Sequence, residues 1–331
     1  MRTKNAMYVA LGILGLLGSG LLSLALGAKP VPAPEVLRAL FDPAWDAFTA
    51  TVVRERIPRT VFSMVAGASL GVSGMLMQAI TRNPIADPSV LGVNMGASLF
   101  VVVGIAVFGI ASAGAYIAFA LAGAVATAAF VYGVAAMGAG GATPIKLALA
   151  GAAVSAALSS LVSAVVLPRS QVMNAFRFWQ VGSLSGASWD KTLAAAPFLL
   201  VAVGAGVLLA PALNALQLGD DVAIGLGVRT GRTRMAGAAL GVLLCGSVTA
   251  LAGPTGFIGL MIPHAVRMVL GGDMRLTIPM TALGGAALLT LADVLGRVLG
   301  RPGELEVGIV TAFLGAPILI WIAMRRRVRA I

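Results

Sequence analysis

The chain has 331 residues, of which 59% are hydrophobic and 11% charged, with a formal net charge of +11. So little charge excludes a soluble repeat protein, and a single cysteine, Cys245, with a single histidine, His264, excludes a disulfide framework and a Cys/His metal site. The 42 glycines, with abundant Ala and Ser, suit helices that approach closely in lipid, where no hydrophobic effect drives their packing.

In chain order, apolar runs of about 18 to 25 residues, each long enough to cross a bilayer, predict spans near 7–28, 57–80, 92–110, 114–137, 144–167, 192–212, 235–252, 256–270, 277–299 and 307–324. The first run follows Arg2 and Lys4 but is too long for a signal-peptide h-region, so it reads as a span. The eighth is short. The basic N-terminus and the tail MRRRVRAI both belong on the cytoplasmic side, which requires an even number of spans, and ten satisfies it. With ten, the inner segments hold 13 Lys/Arg against 4 Asp/Glu and the outer segments 10 against 8. The positive charge is therefore a topology signal, with no nucleic acid as partner. These features predict an all-α polytopic membrane protein, one domain over 1–331, in the cytoplasmic membrane with both termini cytoplasmic.

The second span contains AGASLGV, Ala66 to Val72, and the seventh AGAALGV, Ala236 to Val242, at an offset of 170 that also places Pro84 on Pro254. Spans two and seven are an odd number apart, so two such copies, about 57–167 and 235–324, would run in opposite directions through the bilayer as an inverted repeat. RNPIADPSVLG, Arg82 to Gly92, and AGPTGFIGLMIPH, Ala252 to His264, are then matching interruptions, with Asn83, Pro84, Pro88, Pro254 and Pro263 expected to break helices. Capping by Arg82, Asn83 and Asp87 is the favoured reading of the polar residues there.

No GxxxxGK[ST] loop occurs, so nucleotide energy must come from another chain. Asp87 and Asp293 fall at span ends, and no carboxylate sits at a midplane, which disfavours a proton-coupled carrier. Ser73 in GVSG with His264 would suit an intramembrane hydrolase, but a small-residue packing face and a loop histidine explain the same residues, and no catalytic residue is assigned. Between spans six and seven, Leu213 to Arg234 has apolar patterning broken by Gly219, Gly225 and Gly227, as expected of two short helices with a glycine corner. Such a segment either lies on anionic lipid or docks into a partner's groove. At the outer face Arg54, Arg56 and Arg59 precede span two, and Arg297 and Arg301 flank the last turn. They either anchor helix ends at headgroups or receive acidic residues of a soluble partner.

RIPRTVFSMVAGASLGVSGMLMQAITRNPIADPSVLGVNMGAS, RFWQVGSL, LQLGDDVAIGLGV, GPTGFIGLMIPHAVR and GELEVGIVTAFLGAPILIWI, in this order from Arg56 to Trp321, resemble the iron-siderophore and vitamin B12 permeases of type II ABC importers. The resemblance implies about ten transmembrane helices in the type II permease fold. It also implies a second permease subunit, two cytoplasmic ABC ATPases that hold ATP and Mg, an extracytoplasmic substrate-binding protein, and no cofactor or metal on this chain. Carried over residue by residue, it implies that Arg56, Arg59 and Arg297 dock the binding protein. Leu218, Gly219, Asp220, Asp221, Ala223, Leu226 and Gly227, within 213–234, would couple to the ATPase. Asn174, Phe178 and Trp179, in the short helix of Gln171 to Gly186, would serve the outer gate, with Thr143 and Pro144 near the inner one. The motifs lean toward ferric siderophore as cargo, with haem or cobalamin as alternatives. A secondary transporter or channel without an ATPase is the alternative of another class.

Overall fold

The computed structural model describes residues 2–84, 86–137 and 144–327, and its regular structure there is entirely helical. In chain order the helices are α1 (Arg2–Ala25), α2 (Ala33–Phe41), α3 (Phe48–Thr81), α4 (Val93–Phe108), α5 (Ala113–Ala136), α6 (Pro144–Val166) and α7 (Ser170–Gln180). There follow α8 (Trp189–Leu208), α9 (Ala210–Gln217), α10 (Asp220–Gly225), α11 (Thr230–Ala252), α12 (Ile258–Leu270), α13 (Met274–Leu299) and α14 (Val307–Arg327). A chain this apolar has no water with which to satisfy backbone N–H and C=O groups inside lipid, so helices that satisfy their own are the solution it adopts.

The long helix α3 is the central post, its spanning window 78% buried among α13, α11, α12 and α8. Small residues make that possible. A Cβ on Gly67 would run into the Gly285 carbonyl of α13, and one on Gly74 into the Gly259 carbonyl of α12, so at both crossings backbone lies against backbone. AGAALGV on α11 packs against the part of α3 just after AGASLGV: the Ser73 hydroxyl donates to the Gly241 carbonyl at 2.5 Å, and Ile80 packs over Gly237, so α3 and α11 run antiparallel here. That hydrogen bond occupies the hydroxyl proposed as nucleophile in the hydrolase alternative.

All ten predicted spans are helical, but not all are full crossings. Six helices, α1, α3, α5, α6, α11 and α13, are long and apolar enough to cross a bilayer alone. The sixth predicted span is a bent pair, α8 and α9, meeting at 51°, and α4, α12 and the apolar part of α14 are shorter. With 13 residues, α12 is about 20 Å long, less than a bilayer core of about 30 Å. It is short because the chain breaks just before it, with Gly253 at φ 74° and Phe257 at φ 72°.

Four of the five expected helix breaks lie in or beside interruptions. Asn83 and Pro84 follow α3, Pro88 opens a 3₁₀ turn, Pro88–Leu91, and Pro254 lies between α11 and α12. Pro263 is a correction: α12 runs through it without interruption. A proline there withholds the N–H that would bond the carbonyl four residues earlier, and that carbonyl, Gly259, accepts from the Gln78 side-chain amide at 3.0 Å instead.

Candidate transport and coupling site

The bundle has two chemically distinct ends. At the first, α3 continues past its buried part and carries Arg54, Arg56 and Arg59 beside the C-terminal turn of α13. Arg59 holds Asp293 through Nη2 at 2.8 Å and Nε at 3.1 Å, and its Nη1 reaches Glu304 at 2.8 Å. Arg297, one helical turn from Asp293, pairs with the same carboxylate at 3.0 Å and donates to the Ser23 and Leu26 carbonyls and the Ser23 hydroxyl. Asp293 is thus shared by two guanidiniums while only 2% exposed, and Arg297 is only 3% exposed.

The three expected docking arginines therefore do not form one open surface. Arg297 lies beneath, tying α13 to α1. Arg59 is partly covered, and Arg56, half-buried, donates to the Leu24 and Lys29 carbonyls at 2.8 and 2.7 Å. Arg54 closes the α2–α3 turn through the Pro43 carbonyl at 2.9 Å, and Arg301 donates to the Gly27 carbonyl at 3.1 Å through Nε. Exposed acids stand at this end as well: Glu304, held by Arg59, and Glu55, between Arg54 and Arg56.

At the opposite end, α9 and α10 form the two short helices expected, turning at Gly219 with φ 120°, a backbone region that disfavours any residue with a Cβ. Asp220 clamps this corner to the bundle by accepting from Arg82, at the end of α3, and from Arg234 of α11 at 2.9 Å. A second tie lies beside it: Asn214 donates to Asp273 at 2.8 Å and accepts the Met274 N–H at 2.8 Å. The Asn214 amide, then the Arg275 backbone N–H, hold the Asp273 carboxyl below its usual range.

The apolar residues on this corner divide into two faces. Ala223 is fully buried against the bundle, whereas Leu218, Ile224 and Leu226 are 65%, 60% and 63% exposed, with Val222 and Asp221 also outward. Ala223 was expected to contact a partner and instead seats α10 on the bundle. Val222 and Ile224 are the outward residues missing from the expected set. Gly227, at φ 81°, ends the corner.

The turn after α7 packs against the break before α12 and the start of α14. The Ser183 N–H donates to the Ala252 carbonyl at 2.7 Å, the Gly308 N–H to the Gly182 carbonyl at 3.1 Å, and the Trp179 indole N–H to the Ala250 carbonyl at 3.4 Å. Non-helical backbone is thus satisfied within protein. Of the expected gate residues, Trp179 stacks near Phe176 at 5.7 Å between ring centroids, Asn174 is exposed, and Phe178 lies on α7. Pro144 begins α6, and Thr143 lies outside the described residues. At the break after α3, Arg82 adopts a left-handed backbone and sends its side chain to Asp220, while Asp87 caps the 3₁₀ turn by accepting the Ser89 N–H at 2.9 Å. The capping expected of Asp87 is present; the Arg82 side chain does other work.

Among the described residues no group of three His, Cys, Asp or Glu could hold a metal. What the arrangement offers is a membrane bundle with helix breaks in its interior, charged residues at one end and an exposed apolar corner on ionic supports at the other. That is the build of a membrane transport protein. The chain belongs to the FecCD transport family, whose model matches residues 15–325. It is 44% identical to the ferric enterobactin transport system permease FepD of Escherichia coli, over 92% of this chain and 91% of that one. It is 39% identical to the Fe(3+)-citrate import system permease YfmD of Bacillus subtilis, over 98% and 96%, and 35% identical to the hemin transport system permease HmuU of Yersinia pestis, over 95% and 96%. Among solved structures, a metal-chelate type ABC transporter in an inward-facing conformation superposes with a TM-score of 0.83 at 26% identity, covering 97% of this chain and 99% of the other.

Proposed function

We propose that this chain is one permease subunit of a type II ABC importer that carries ferric siderophore across the bacterial cytoplasmic membrane. The observation that carries the reading is the α9–α10 corner. Three large apolar side chains there stand exposed beyond the spanning helices on a helix pair fixed by Asp220, Arg82 and Arg234. An apolar knob held so firmly in water is suited to a partner's groove, and a cytoplasmic ATPase binding ATP and Mg is that partner. Its likeness to permeases for ferric enterobactin and ferric citrate supports a ferric siderophore as cargo. Likeness to the hemin permease, at lower identity, supports haem as the second reading.

On this reading the chain crosses the membrane ten times with both termini cytoplasmic, as the excess of inner Lys and Arg supports. The matching stretches AGASLGV on α3 and AGAALGV on α11, two helices that run antiparallel and are each followed by a proline-containing break, support the inverted repeat. Helix α6, whose window is only 17% buried, offers an apolar face for a second permease subunit. Arg56 and Arg59 receive acids of an extracytoplasmic binding protein, with Arg297 as the buried support beneath them. Gating falls to Asn174, Phe178 and Trp179 on the outer side and to Thr143 and Pro144 on the inner side.

Uptake of labelled iron by a strain deleted for this chain tests the reading, with iron supplied on catecholate, hydroxamate and citrate carriers and as haem. The expected result is loss of uptake for one siderophore class, restored by the intact chain together with an ATPase that co-purifies with it. Transport by the chain alone, driven by an ion gradient, would overturn it.

A further inference from the structure

Between α5 and α11 the bundle leaves an apolar groove of about 550 Å³, walled by Val125, Ala129 and Tyr132 on one side and Met235, Ala239 and Leu243 on the other. Val125, Tyr132, Met235 and Leu243 are exposed along it. Arg232, Met235, Ala239 and Leu243 follow at spacings of three, four and four on α11, so one helix face runs from a cation into the groove. Arg229, at the start of α11, stands one turn further out. Arg234 is committed to Asp220. Arg229 and Arg232 are exposed and form no ion pair among the described residues. The arrangement is an acyl-sized slot with two unneutralised cations at its mouth, at the same end of the bundle as the α9–α10 corner.

We propose that this groove is a binding site for one anionic phospholipid, an acyl chain lying between α5 and α11 and the phosphate on Arg229 and Arg232. The surroundings of a membrane-spanning helix are acyl chains, and a basic mouth selects among lipids by headgroup charge. A protein partner would need its own acids at this position to reach the same complementarity, whereas every anionic lipid of the leaflet brings its phosphate to that depth. Because α11 begins four residues after Leu226, the lipid would brace the helix that carries Arg234 and hence the Asp220 clamp.

The test uses the transporter purified with its partner subunits, stripped of loosely held lipid, and given equal amounts of phosphatidylglycerol and phosphatidylcholine before lipid bound per complex is counted by native mass spectrometry. The wild type is expected to retain phosphatidylglycerol by roughly fivefold or more over phosphatidylcholine. Ala129→Phe and Ala239→Phe, which fill the slot from opposite walls, should each remove the retained lipid, so that misfolding of one leaves the other to decide. Arg229→Gln with Arg232→Gln should keep the lipid and abolish the preference. Retention unchanged in both phenylalanine variants would overturn the site, and equal retention of the two lipids by the wild type would overturn the headgroup assignment. Leu243→Cys pairs cross-linking two permease chains in native membranes would identify the groove as a protein interface and equally defeat the proposal.

Discussion

The Gln78 side-chain amide donates to the Gly259 carbonyl at 3.0 Å, replacing the backbone donor that Pro263 lacks. A buried carbonyl left without a partner costs about 1–3 kcal/mol. Gln78→Leu should therefore destabilise the bundle by about that much. Pro263→Ala supplies a backbone N–H to the same carbonyl, so the loss from Gln78→Leu should shrink in that background. Thermal unfolding of the four proteins of the cycle measures it, and equal costs in both backgrounds would separate Gln78 from Pro263.

Asp293 neutralises two arginines in a nearly dry place. Replacing it by Asn leaves Arg297 charged and buried, and breaking one partner of such a pair costs about 3–5 kcal/mol. Asp293→Asn should lower the unfolding temperature markedly, whereas Arg59→Gln, nearer the surface, should lower it less. Arg297→Glu is expected to reduce the amount of folded protein. Arg56→Glu should leave the protein folded and weaken binding-protein docking, read by titration at several salt concentrations.

Ile224→Asp or Leu226→Asp places a charge on the exposed face of the α9–α10 corner and should, if that corner docks the ATPase as proposed, reduce ATPase co-purification at least tenfold. Asp221→Ala, whose side chain is outward but not apolar, should have a small effect. Gly219→Val forces a β-branched residue to φ 120° and should uncouple ATP hydrolysis from uptake while the chain still inserts.

The Asn214 amide and the Arg275 N–H favour the charged form of Asp273, so its folded pKa lies below the ordinary 3.8. Its contribution is fully present above the ordinary value and is lost as pH falls through the lowered one. Stability of the wild type should therefore fall below about pH 4 more steeply than that of Asp273→Asn. Parallel acid profiles of the two proteins would remove Asp273 from the acid response.

The positions of the apolar helices, the glycine corner at Gly219 and the two interruptions were legible because each depends on local chemistry: apolar length, positive φ, and proline. Arg297 was not. Its place among the arginines of that end follows from chain order, but its burial depends on Ser23 of α1 and Leu26 just past it, more than 270 residues away in sequence. Pro263 misled for a related reason. Its missing donor is compensated by Gln78 from another helix, so a local rule for breaking helices met a tertiary remedy. Ala223 and Ile224 exchanged roles because six residues are too few for periodicity to separate the face against the bundle from the face toward solvent.

The 34-residue helix α3 carries Arg59 near one end and reaches Arg82 just past the other. Twenty-three residues of helix separate them, about 35 Å, with no proline between Arg59 and Arg82. Packed along its glycine-rich middle by α8, α11, α12 and α13, the helix is expected to move as one rod, which passes a displacement on. Any tilt imposed where Arg59 meets Asp293 must reappear, as a swing in the opposite sense, where Arg82 meets Asp220. The molecule thus has a lever through its centre, and probes attached at its two tips should move in step, with no lag between them.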